Sequence, residues 1–311
     1  MDAIVAHSEA AISKGSSSFE AASRLFGREL REDVWQLYAW CRHCDDEIDG
    51  QDGGGAASTA LTSLERRERL QRLQRLTRDA LSGAPVEDPA FVAFARVAAK
   101  HQIPEQWPLE LLEGFARDVE GGAFPDQEAT LRYCWGVAGT VGVMMAGIMG
   151  VRSPEVLRRA QDLGLAFQLT NICRDVVEDA RNGRVYLPAD RLAAHGAPAT
   201  PEGMLDPANH PAVFRVVLEQ LQLAEAYYRS ARVGLRDLPF RGAVAVGAAR
   251  DVYREIGRRI RRSGPDALSS RMRVPKPVMS LRLLRGVGAA VVSRVEPGSR
   301  TPPRPQLWSR L

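Results

Sequence analysis

The chain has 311 residues, 45% of them apolar and 6% aromatic, with a net charge of +4, which suits a globular protein of one or two domains. Nearly all the positive charge is arginine, since lysine stands only at positions 14, 100 and 276, and from Arg250 onward the only acids are Asp251, Glu255, Asp266 and Glu296. That basic end is not interleaved with aromatics, which argues against nucleic acid and leaves anionic lipid or a phosphorylated substrate as partners. The opening MDAIVAHSEAA lacks the basic-then-apolar order of a secretory signal, so Cys41, Cys44, Cys134 and Cys173 are expected to be reduced in an intracellular chain.

Helical signals run almost throughout. SSFE at 17–20 reads as a capping box. Arg31 to Asp49 carries Val34, Leu37, Tyr38 and Cys41 on one stripe and stops at Gly50, before the flexible QDGGGAAS. Helices are then expected over 61–81, 89–100, 108–120, 127–149 and 154–180, with breakers at Ile103-Pro104 and Glu120-Gly121-Gly122. Residues 192–211 read as a Pro/Gly/Ala-rich loop, and two more helices fit 211–235 and 241–262. The end, PGSRTPPRPQLW, reads as an extended tail, so the division is a helical domain over 1–290 and a basic, Pro-rich tail over 291–311. No segment alternates at period two. The expected fold is all-α, a single-domain bundle of many helices around a central cavity.

One stretch, Tyr133 to Val151, carries no charge and is long enough to span a membrane, but its five glycines suit a packed core helix better. Tyr133, Val137, Val141 and Met145 would give an apolar wall. Gly136, Gly139 and Gly142 would leave room for either a hydrocarbon chain or a close helix.

Two stretches carry the chemistry. CRHCDDEID (41–49) holds a Cys-x-x-Cys, but a zinc site lacks its second ligand pair and a redox dithiol lacks its preceding strand. Its acids are more telling. Tyr38, Arg42, Asp45 and Asp49 form one polar stripe, and like charges four residues apart repel unless a cation lies between them. Alone this would be a solvated helix end. A second stripe, Gln168, Asn171, Asp175 and Asp179, lies on a helix whose Leu169, Ile172 and Val176 belong in a core. A polar stripe there is costly unless it binds something. Two Asp-x-x-x-Asp helices offer oxygen ligands only, which suits Mg²⁺ shared with a substrate phosphate. Arg42 and Arg174 stand beside the motifs, ready for a diphosphate. The pattern is that of an enzyme drawing diphosphate from an allylic substrate to leave a carbocation.

YAWCRHCDDEID (38–49), LRYCWGVAGTVGVMMAGIMGV (131–151), LGLAFQLTNICRDVVEDARNGRVYLP (163–188), VYREIG (252–257) and the PPRPQLW tail resemble the squalene/phytoene synthase family of head-to-head prenyl synthases, with the bacterial phytoene-forming branch nearest. The resemblance covers about Ser16 to Lys276. It implies Mg²⁺ or Mn²⁺ held by Asp45, Asp49, Asn171, Asp175 and Asp179, with Gln168 close by. It implies diphosphate contacts from Arg42, Arg174, Tyr186 and Arg273, Tyr133 guarding the carbocation steps, Tyr38 and Tyr253 in the cavity, and Ser16 and Ser18 on an N-terminal flap. Gly15 stands where the family often has histidine. Asp46 and Glu47 would back the ligands; Asp118 reads either as support for a metal or as half of a surface ion pair.

The implied reaction joins two geranylgeranyl diphosphates through a cyclopropyl diphosphate to phytoene, with no NADPH. The alternatives are a squalene or dehydrosqualene synthase using farnesyl diphosphate, and a non-catalytic prenyl-binding helical scaffold. Greasy substrates imply a cytoplasmic protein resting on the inner face of the membrane, its basic C-terminal part a candidate contact. Oligomeric state is left open.

Overall fold

The computed structural model describes residues 2–15, 17–50, 61–121, 123–269 and 303–311, with isolated positions 272, 275, 288 and 292. Among them there is no strand. The helices are α1 (Ala3–Gly15), α2 (Ser17–Ser23), α3 (Arg28–Asp49), α4 (Ser63–Ser82), α5 (Pro89–His101), α6 (Gln106–Glu120), α7 (Gln127–Cys134), α8 (Thr140–Ile148), α9 (Pro154–Arg181), α10 (Ala189–Ala194), α11 (Pro201–Leu205), α12 (His210–Gly234) and α13 (Phe240–Ser263). Local chemistry sets many of their ends. Thr62 and Glu65 cap α4 reciprocally, Asp88 caps α5 ahead of Pro89, and Gly50 closes α3 at φ +66°. Helix α1 was not among the elements expected. Its Val5 and Ile12 pack on Trp35 and Tyr38 of α3.

Helix α9 is the spine. α12, α8, α13 and α11 all pack against it, which leaves Leu165, Leu169, Ile172, Cys173 and Val176 buried among them. α3 lies across α1 and α5, with Trp40 stacked on Phe94 at 4.1 Å.

The helix expected over 127–149 is interrupted. A π turn, Trp135–Gly139, separates α7 from α8. Here α6 comes closest: a Cβ on Gly136 would lie 2.8 Å from Gly114 Cα. On the α9 side, a Cβ on Gly164 would lie 2.3 Å from the Ala138 carbonyl oxygen. Gly136 therefore serves backbone-to-backbone packing, as does Gly142 against the Ala160 carbonyl oxygen, which is the close-helix reading of those two residues. The 22-residue run Gln127–Ile148 is apolar enough to cross a bilayer, but 67% of its most apolar window is buried inside the protein.

The expected loop at 192–211 is corrected by α11, which lies within it, and by α10, which runs into its start. Leu192 and Met204 are buried, and Thr200 accepts from Gly203 N at 3.1 Å, so each short helix has an anchor. The tail residues 303–311 have no regular structure yet lie against the body. Arg304 donates to both carboxylate oxygens of fully buried Asp162, at 2.7 and 2.9 Å. Ser230 also donates to Asp162. Gln161 Oε1 accepts from Arg310 N and Leu311 N at 3.1 and 3.3 Å, and Tyr227 donates to the Trp308 carbonyl.

Candidate active site

Three elements bring the acids together: the last turns of α3, α6 and α9. Arg184, just beyond α9, joins them. Its Nη2 lies 2.5 Å from Asp49 Oδ1, and its charge also bears on Asp118 and Asp179. Both aspartate motifs thus lie within reach of Arg184 and Asp118.

The acids outnumber what local cations can settle. Burial pushes the Asp45 carboxyl up to about 7, with Arg42 opposing and Asp49, Asp46 and Asp118 adding to the push. Burial also pushes Asp179 up to about 8, with Asp175 adding and Arg184 opposing. Asp118 is raised as well, chiefly by burial, against the pull of Arg184 and a hydrogen bond from Tyr186. Arg42 holds Asp45 at 3.0 Å and Asp46 at 2.6 Å, and Arg174 grips both oxygens of Asp175.

Asp118 is no surface ion pair. Tyr186 and Tyr133 donate to its two oxygens at 2.6 and 3.1 Å. The two tyrosine rings stack at 4.8 Å, and Phe124 lies 5.2 Å from Tyr133 and 5.7 Å from Tyr186. Burial and the neighbouring carboxylate hold both phenols well above their usual range, so they remain neutral donors. The result is an aromatic wall fixed to a buried acid.

The other expected residues fall as follows. Asn171 Nδ2 donates to Gln168 at 3.3 Å. Tyr253 stacks on Phe167 at 4.3 Å. Tyr38 is half-buried beside Arg42, Asp45 and Asp46 and also touches the N-terminal helix: a Cβ on Gly15 would lie 2.4 Å from its hydroxyl oxygen, so this chain's glycine there makes room for the phenol. Val137, Val141 and Met145 are half-buried against the core. Cys44 is buried and Cys41 partly so, and all four cysteines are free thiols; the Cys-x-x-Cys is helix packing. Ser16 and Arg273 lie outside the described residues, as does the side chain of Ser18. Arg184 and Phe124 were missed. Arg184 sits inside NGRVYLP, five residues past Asp179, and an arginine between a carboxylate and a tyrosine in an otherwise apolar run was the available signal.

The residues fit a divalent ion. The donors on the motif faces are all oxygens, as Mg²⁺ and Mn²⁺ prefer. Asn171 Oδ1 is buried with no hydrogen-bond partner, an acceptor aligned with Asp175 and Asp179 on α9. Among the described residues no three carboxylates already enclose a point. Arg42, Arg174 and Arg184 offset these acids only in part.

The family model for squalene/phytoene synthases matches residues 12–278. This chain belongs to the squalene/phytoene synthase family. Within the family it is 45% identical over 305 residues to a 15-cis-phytoene synthase of Pantoea ananas, covering 98% of this chain and 97% of that one. It is likewise 45% identical over 310 residues to the 15-cis-phytoene synthase of a Paracoccus strain, covering 100% and 99%. In fold it is similar to a dehydrosqualene synthase, with TM-score 0.79, 24% identity and 93% and 97% coverage. A squalene synthase from Alicyclobacillus acidocaldarius is also similar, with TM-score 0.72, 26% identity and 83% and 94% coverage.

Proposed function

We propose that the protein is a 15-cis-phytoene synthase, joining two geranylgeranyl diphosphates head to head through a cyclopropyl diphosphate and releasing diphosphate, without NADPH. The observation that carries this reading is the 45% identity to 15-cis-phytoene synthases along essentially the whole chain, in a fold that turns both aspartate motifs onto Arg184.

Mg²⁺ or Mn²⁺, held by Asp45, Asp49, Asn171, Asp175 and Asp179, would neutralise the diphosphate and stabilise its departure. The chain's own groups do the rest. Arg42, Arg174 and Arg184 offer planar guanidinium forks to the diphosphate oxygens. The rings of Phe124, Tyr133 and Tyr186 present electron-rich faces, which favour a neighbouring carbocation by about 0.5–2 kcal/mol each. Asp118 fixes the orientation of both phenols. The half-buried Val137, Val141 and Met145 supply apolar wall that keeps water from the cation.

Incubation with Mg²⁺ and either geranylgeranyl or farnesyl diphosphate, with and without NADPH, tests the proposal by product mass. A C40 hydrocarbon formed without NADPH is expected; exclusive use of farnesyl diphosphate would contradict it. We further place the enzyme at the cytoplasmic membrane face, on the support of its oily substrate and basic C-terminal sequence. Flotation with anionic liposomes at low salt is expected, and failure to float counts against that placement.

A further inference from the structure

Behind the aspartate face of α9, between α9, α12 and α13, lies a second cavity of about 320 Å³. That is at the small end of the range for ligand pockets. Its inner wall is apolar, from Leu221, Ala224 and Gly257, and is closed by the buried Thr170–Tyr228 hydroxyl pair at 2.8 Å. Its rim carries Arg254, Arg258, Arg261 and Arg262. The aspartate motifs do not line it.

Among the described residues, arginines outnumber the acids on this wall. Glu225 is occupied by Arg254, which donates to both of its oxygens. Glu255, only 4% exposed, is shared by Arg258, Arg259 and Arg262 at 3.4–4.0 Å. Among the described residues, two acids thus stand with five arginines on or beside this wall. Arg261 lines the cavity from an exposed position on α13 and has no carboxylate partner among the described residues. The spacing explains the concentration: positions 254, 258 and 261 fall on one stripe of α13, with Gly257 beside them against Leu221. Guanidinium groups gathered at the mouth of an apolar recess favour an anion over a solvated surface, because forked N–H donors match phosphate oxygens while the recess takes an apolar stem.

We propose that this cavity is a second anion site, separate from the aspartate centre, taking a phosphate or diphosphate group that carries an apolar stem. Two sources share that chemistry: a soluble diphosphate and the headgroup of an anionic lipid.

The test is calorimetric titration of the full chain in EDTA, which removes metal-dependent binding at the aspartates. The probes are inorganic diphosphate and, separately, short-chain phosphatidylglycerol below its micelle concentration. Wild type is expected to bind at least one probe, and Arg258→Gln and Arg261→Gln each to weaken that binding about tenfold, the worth of one charge-assisted pair. Both variants should keep the wild-type melting temperature and C40 product formation, since neither side chain reaches the motif acids. Ala224→Leu, which fills the recess, should weaken the lipid probe more than diphosphate. Loss with diphosphate only assigns a soluble ligand; loss with phosphatidylglycerol only assigns a lipid headgroup. Binding of neither probe, or binding undiminished in both arginine variants, overturns the proposal.

Discussion

Asp162 and Asp179 lie on the same helix, and their surroundings are opposites. Asp162, at the α9 end gripped by the tail, is fully buried and saturated: Arg304 takes both oxygens and Ser230 donates as well. Asp33 is treated alike by Lys100 and His101, both at 2.8 Å. Asp179 shares its neighbourhood with Asp175 and Asp118, has Arg184 as a partial counterweight, and is driven toward the neutral acid. A buried acid that serves the fold is fully paired. One that serves a ligand is left short of positive charge, and the fold carries that cost until the ligand arrives.

Breaking this contrast should give effects of descending size. Asp45→Asn or Asp179→Asn should lower C40 product formation by roughly 10³-fold, the scale for losing a charge-stabilising group. Asp179→Asn should nevertheless melt higher than wild type in EDTA, because a repelled carboxylate is removed; a lower melting point would show Asp179 to be structural. Arg184→Gln should cost roughly 10²-fold in turnover, since it unties Asp49 from Asp118 and removes a diphosphate donor.

At the other end, Arg304→Ala strips Asp162 of its cation and should destabilise the protein by about 3 kcal/mol, read from urea unfolding. Activity per folded molecule should hold. A smaller effect is a pH dependence peculiar to the metal-free protein. Burial pushes Asp179 up to about 8, against an ordinary 3.8. Between pH ~4 and ~8 the folded state binds more protons than the unfolded state, so stability should fall as pH rises through that window. Mn²⁺ should flatten the slope, since binding releases those protons. A metal-free protein whose urea midpoint rises from pH 5 to pH 8 would contradict the sign.

Much of this was legible because it is local. The Asp-Pro start of α5, the Ser-Pro start of α9, the close of α3 at Gly50 and both aspartate stripes follow from residues within a turn or two of each other. What escaped is nonlocal or breaks no pattern. Arg184 acquires its meaning from Asp49, 135 residues away. Asp162 reads as one more polar position until Arg304, 142 residues on, is laid against it. The π turn at Trp135–Gly139, where Gly136 meets Gly114, is marked by no proline or charge in the sequence. Asp118 could be weighed only once Tyr133 and Tyr186 were seen on its two oxygens. The tight fit of Gly15 against Tyr38 depends on α1, for which no helix signal was read.

The central claim is that the α3 and α9 acids form one divalent-cation centre. Titration of Mn²⁺ into the metal-free protein, followed by the electron paramagnetic resonance signal of the free ion, tests it most directly. Wild type should remove Mn²⁺ from solution, and Asp45→Asn and Asp179→Asn, on opposite walls, should each weaken that uptake. Equal uptake by both variants and wild type would contradict it.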